Sequence, residues 1–170
     1  MSDSPYEFVP VWKGVTEALA AELTDFWARN RAIPDADRAA ARARQAVCIA
    51  RGADGALVGV GTAVMRILPR LRQPMYYYRQ FFSPDFRGQK RTGPFFNFAC
   101  EILQSYNAAL KEPESLGVLV ELESAILVSR YILAHEPTVN STFIGYSQKG
   151  LQLRVTYFEG AKLHPLRALS

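Results

Sequence analysis

Apolar positions in this chain change period several times, and each change predicts an element. EFVPVWK, residues 7 to 13, alternates loosely and predicts a first strand. Val15, Leu19, Leu23, Phe26 and Trp27 then recur at the spacing of one helical face. Thr16 stands where an N-cap belongs, and Glu17 suits the positive end of the helix dipole. Pro34 is expected to break this helix. DADRAAARARQ, residues 35 to 45, predicts a short Ala/Arg helix with a weak apolar face.

Strand patterns follow. AVCIARG and LVGVGTAVMRIL flank Ala53-Asp54-Gly55, a hairpin turn signal. Pro69 and Pro74 bracket an arginine-rich turn, and MYYYRQFF, residues 75 to 82, is aromatic and strand-like. Phe95, Ala99, Ile102, Leu103, Tyr106 and Leu110 make a second helical stripe. LGVLVELE, residues 116 to 123, predicts a strand. SAILVSRYILAHE, residues 124 to 136, fits either period; its length and the stop at Pro137 favour a helix. TFIGYS and LQLRVTYF, separated by QKG, predict a closing hairpin. The order β, α, α, β, β, β, α, β, α, β, β predicts an α/β three-layer fold with a mixed, mostly antiparallel sheet and helices on both faces.

Composition narrows the classes. The chain has 170 residues, of which 49% are hydrophobic and 21% charged, as expected of a globular protein. One domain over 1–170 is expected, with its core at about 6–158. The net charge of +4 favours anionic ligands without demanding nucleic acid. The arginines of residues 38 to 51 lack interleaved aromatics, so a solvated helix face is preferred to a nucleic-acid surface. MSDSPYEFV lacks the basic-then-apolar order of a signal peptide, and no apolar run approaches the roughly 18 residues of a membrane span. A cytoplasmic protein without a membrane partner is expected. Cys48 and Cys100 sit among apolar neighbours and read as reduced core residues, and no metal site is expected.

FRGQKRTGP, residues 86 to 94, concentrates Arg87, Lys90 and Arg91 where a strand hands over to a helix. A helix N-terminus offers N–H donors and partial positive charge, so it suits phosphate. Together with the element order, this stretch resembles the GNAT-type N-acyltransferases over roughly residues 6 to 158. In that family the fourth strand leads into an Arg/Gln-x-x-Gly-x-Gly/Ala loop that opens the third helix and holds the pyrophosphate of acetyl-CoA. Here Pro84, Arg87 and Gly88 match the surroundings of the motif. Lys90 stands where its first glycine is expected, Thr92 stands where its second is, and Gly93 is one residue out of register. The resemblance implies acetyl-CoA or another acyl-CoA as cofactor, held by Phe82, Arg87, Gly88, Gln89, Lys90, Arg91, Thr92 and Gly93. It also implies a small-molecule amine as acceptor, and it is compatible with a homodimer.

Acyl transfer needs a proton acceptor for the amine and an acid for the leaving thiolate. The family's base is often a glutamate on the fourth strand. MYYYRQFF has none, and Gln80 cannot take a proton. Glu121 and Glu123, two residues apart on the fifth strand, are the candidate bases. Tyr131 takes the acid role by position, and His135 is a further candidate base. Tyr76, Tyr77 and Tyr78, with Phe81 and Phe82, fit either a pocket wall or plain core. Two further readings stand beside the enzyme. One is a GNAT-fold binding or regulatory protein without catalysis. The other is an acyl-homoserine-lactone synthase, which the run MRILP before QPMYYYRQFF resembles.

Overall fold

The structure, a computed structural model, describes residues 5–88 and 90–166. Strand β1 (Tyr6–Pro10) is shorter than the predicted run. Helix α1 (Glu17–Arg29) begins where its cap was expected: Thr16 Oγ1 accepts from the Leu19 N–H at 3.1 Å. It ends at Asn30, ahead of Pro34. Leu23, Phe26 and Trp27 of its stripe are buried, each worth about 1.5–3 kcal/mol of transfer free energy. Val15 and Leu19 pack at the edge of the same cluster. Helix α2 (Ala36–Ala43) is capped by Asp35, and Ala39 and Ala43 supply its narrow apolar face. Strands β2 (Ala46–Gly52) and β3 (Leu57–Ile67) form the predicted hairpin, with Gly55 at φ 80° in the turn.

Strand β4 (Pro74–Phe82) leads through a 3-10 turn (Pro84–Phe86) into helix α3 (Thr92–Ala109). Strand β5 (Gly117–Leu122) follows, then helix α4 (Ala125–Arg130) and strands β6 (His135–Glu136), β7 (Ser141–Tyr146) and β8 (Gln152–Tyr157). The eight strands are ordered β1-β2-β3-β4-β5-β8-β7-β6. The β4–β5 pair is parallel, with register from Tyr76–Val118 to Tyr78–Val120. β4 continues beyond that last pair to Phe82, while β5 stays paired with β8 as far as Leu122–Gln152. This is the mixed, mostly antiparallel sheet that the element order predicts. No helix among the described residues is long and apolar enough to cross a membrane.

The chain divides into two compact units, Met1–Ala63 with Gln80–Leu103, and Val64–Arg79 with Gln104–Ser170. In the first, Phe81 packs against Phe26 of α1, while its neighbour Phe82 packs against Phe95 of α3. Adjacent strand residues face opposite ways, so α1 and α3 cover opposite faces of the end of β4 that belongs to this unit. In the second, Met75, Tyr77, Leu116, Leu119, Leu153 and Val155 form the core. There Gly117 allows β5 to lie close against β8, because a Cβ at that position would collide with the Thr156 carbonyl.

Residues 124–136 depart from the expected helix. α4 stops at Arg130, and a two-residue strand, absent from the sequence reading, forms at His135–Glu136. Partners outside the helical ladder, two of them distant in the chain, take the backbone groups that a continued helix would use. The Leu133 carbonyl accepts from Arg154 Nη2 at 2.7 Å, and the Ala134 carbonyl accepts from the Phe143 N–H at 2.8 Å. The Leu133 N–H donates to Glu136 Oε1 at 3.0 Å. Local periodicity loses to these tertiary bonds.

Candidate functional site

The turn between β4 and α3 gathers the predicted cofactor residues, except Gln89, which lies outside the described residues. Phe82 ends β4 with its ring buried against Phe86 and Phe95. It lies directly over Gly59, where a Cβ would sit 2.7 Å from the Phe82 ring. The 3-10 turn then brings the chain around, and Gly88 follows at φ 77°. Lys90 also adopts positive φ, at 54°. This is the left-handed region that glycine enters freely and other residues enter at a cost. Left-handed turns of this kind aim backbone N–H groups into a shared concavity suited to anions. Thr92 and Gly93 form the first turn of α3, which carries no acidic residue to compete for an anion.

The three cations of the turn behave differently. Arg87 donates from Nε to the Phe82 carbonyl at 3.0 Å, and its guanidinium lies 5.1 Å over the Phe81 ring. Arg91 stacks 4.0 Å over Tyr6 and 4.2 Å over Phe86. Both guanidinium groups thus rest on aromatic surface. Lys90 is exposed.

The predicted chemical groups belong to the second unit. Glu121 is half-buried on β5, opposite Leu153. Glu123 does not share its strand, because β5 ends at Leu122 and Ser124 caps α4 immediately afterwards. Glu123 is exposed to solvent at that corner. Tyr131 is the C-cap of α4 rather than a mid-helix residue. Burial, and after it the Glu136 carboxylate, holds its phenol above the ordinary range; Arg130 and Arg154 pull the other way. His135 is exposed on β6, with Nδ1 2.9 Å from Thr142 Oγ1. Tyr76, Tyr77 and Tyr78 are all buried; Tyr76 donates to Glu114 Oε1 at 2.6 Å, and burial, followed by this bond, raises its pKa. Both cysteines are free, and burial pushes the Cys100 thiol up to about 12, so it is inert.

Sequence reasoning missed Glu136 and Arg154. Arg154 is 2% exposed and donates to Ser141 Oγ, Gln152 Oε1 and the carbonyls of Leu133 and Ser141. Burial pulls its pKa down, and Glu136 opposes that shift. The signal was an arginine centred in LQLRVTY, on a strand with apolar neighbours on both sides. A charge there must find several acceptors.

No protein-family model matches the sequence, and no curated protein does. Solved structures do. The ribosomal-protein-S5-alanine acetyltransferase of Vibrio fischeri superposes with a TM-score of 0.62 at 10% identity, over 95% of this chain and 98% of that one. YncA of Salmonella typhimurium, solved with its cofactor acetyl-CoA, gives 0.57 at 15% identity, over 95% and 99%. A GNAT-family acetyltransferase of Streptococcus pneumoniae gives 0.55 at 10%, over 90% and 99%. At such identities the likeness concerns architecture: this chain has the GNAT N-acyltransferase fold.

Proposed function

We propose that this protein is an acyl-CoA-dependent N-acyltransferase, an acetyltransferase in the simplest case, acting on a small amine. The observation that carries the reading is the backbone of the β4–α3 turn. Lys90 keeps a left-handed conformation, φ 54°, at the position where the resembled loop has glycine. A backbone conformation that glycine would favour at this position supports a phosphate cradle here. A strained residue persists only where its surroundings require it. The first turn of α3, free of acidic residues, and the cations of Arg87, Lys90 and Arg91 favour a pyrophosphate at this turn.

The chemistry assigned to the chain is a displacement at a thioester. The amine nitrogen attacks the acyl carbonyl, a C–N bond forms and the C–S bond breaks. Glu121 is assigned the amine's proton, and Tyr131, kept protonated by its raised pKa, is assigned delivery of a proton to the departing thiolate.

Calorimetric titration with acetyl-CoA tests the reading. Binding is expected in the micromolar range, weaker at high salt because exposed charge contributes. The pair Lys90→Ala and Arg91→Ala should weaken it by at least about tenfold. Absence of acetyl-CoA and longer acyl-CoA binding at millimolar concentration would favour the non-catalytic binding protein instead.

A further inference from the structure

Tyr77 is buried in the core of the second unit, yet two cations stack on it. The Arg66 guanidinium lies 4.4 Å from the ring centroid and the Arg79 guanidinium 4.7 Å. Arg79 Nη2 also donates to Tyr77 Oη at 3.3 Å, and its buried Nε has no hydrogen-bond partner. Among the described residues, neither guanidinium forms an ion pair with a carboxylate. Two like charges on one ring repel each other.

The register defines what shares this face. Tyr77 pairs with Leu119, so Arg79 and Glu121, each two residues further along its strand, point to the same side. Glu121 pairs with Leu153, and Leu153 pairs with Gly145. A Cβ on Gly145 would sit 3.0 Å from Arg70 Nη1, which places a third guanidinium along the same row. Arg66, Arg70 and Arg79 thus gather on a face that also holds Glu121.

We propose that the amine acceptor carries an oxyanion, a carboxylate or a phosphate, which Arg66 and Arg79 bind. Its ammonium group is held by Glu121 before losing a proton. The proposal rests on the acyltransferase reading for the fate of the amine; the oxyanion clamp itself does not. Planar guanidinium forks match both oxyanions, and the aromatic ring fixes the forks in place. The same charges disfavour a polyamine, which would bring only cations to three arginines.

Matched probes test this. L-phenylalanine is compared with phenethylamine, O-phosphoethanolamine with ethanolamine, and spermidine is added as a polycation. Binding is read by calorimetry with and without acetyl-CoA. One or both oxyanion-bearing amines should bind at least roughly tenfold tighter than their counterparts, and which one does distinguishes carboxylate from phosphate. Arg66→Gln and Arg79→Gln should each remove that preference while leaving acetyl-CoA affinity unchanged. Arg66 is exposed, so its variant keeps the fold even if the other does not. Equal or tighter binding of the cationic amines, no binding of either oxyanion probe at millimolar concentration, or a preference unaffected in Arg66→Gln would overturn the proposal. If acetyl-CoA fails to bind while the oxyanion preference persists, the acyltransferase reading falls and the clamp stands. If acetyl-CoA binds and the preference is absent, the clamp alone falls.

Discussion

Lys90 carries two opposed contributions in one residue. Its left-handed backbone costs stability, and its exposed ammonium offers charge to a phosphate. Lys90→Gly separates them. Glycine relieves the steric cost but adds freedom to the unfolded chain, so a net gain of about 0.5–1 kcal/mol in unfolding free energy is expected. Urea denaturation measures it. Acetyl-CoA affinity should move the other way, weakening by roughly 1–3 kcal/mol as a charged contact is lost. A variant that is more stable and binds more tightly would mean that the lysine side chain obstructs the cradle. The sequence shows Lys90 as a departure from the glycine pattern, and that much was legible. Its φ was not, because a residue's backbone region is set by the turn that holds it. Arg87 and Arg91 are similar cases. Their number and place could be read directly, but their stacking on Phe81, Tyr6 and Phe86 depends on strands distant in the chain.

Elements were legible where local signals agreed. Thr16, Glu17 and the Leu23/Phe26/Trp27 stripe all specify α1, and the structure starts the helix at Glu17. Residues 124–136 lack such agreement, and their fate is decided by Arg154 from β8. Ile132 and Leu133 are 77% and 53% exposed, so no apolar packing face rewards a longer helix there. Instead Arg154 ties the Leu133 carbonyl to Ser141 and Gln152. Arg154→Met fills a similar volume and leaves these acceptors without a donor. A loss of about 2–4 kcal/mol is expected, the scale of stranding several buried polar groups. Hydrogen exchange should speed up first at the Leu133 and Phe143 amides, whose bonds lie beside the guanidinium. Unchanged protection there would show that Arg154 does not hold the segment.

For the molecule as a whole, the order of elements was readable because strand and helix periods alternate with clear stops, and that order specifies the architecture. The chemical groups were less readable, since a base or an acid is defined by surroundings rather than by spacing. Glu121 and Glu123 look equivalent in LVELES, yet one is half-buried on a strand and the other lies exposed past its end. That difference makes a kinetic prediction. Glu121→Gln should lower kcat by roughly 10²–10⁴-fold, the usual contribution of a positioned base, while Glu123→Gln should stay within about twofold of the parent. Tyr131→Phe tests the acid in the same assay. Its phenol lies above its ordinary value of 10.0 because burial and the Glu136 carboxylate both disfavour the phenolate. Tyr131 therefore remains a proton donor throughout neutral and mildly alkaline pH, and any alkaline limb it causes must lie above pH 10. Under the proposed acid role, Tyr131→Phe should lower kcat by about 10²-fold or more with little change in KM, the pattern expected of a group assigned to the departing thiolate rather than to substrate binding. A loss carried by KM alone would make Tyr131 a binding residue, and full activity in Tyr131→Phe would move the acid role elsewhere.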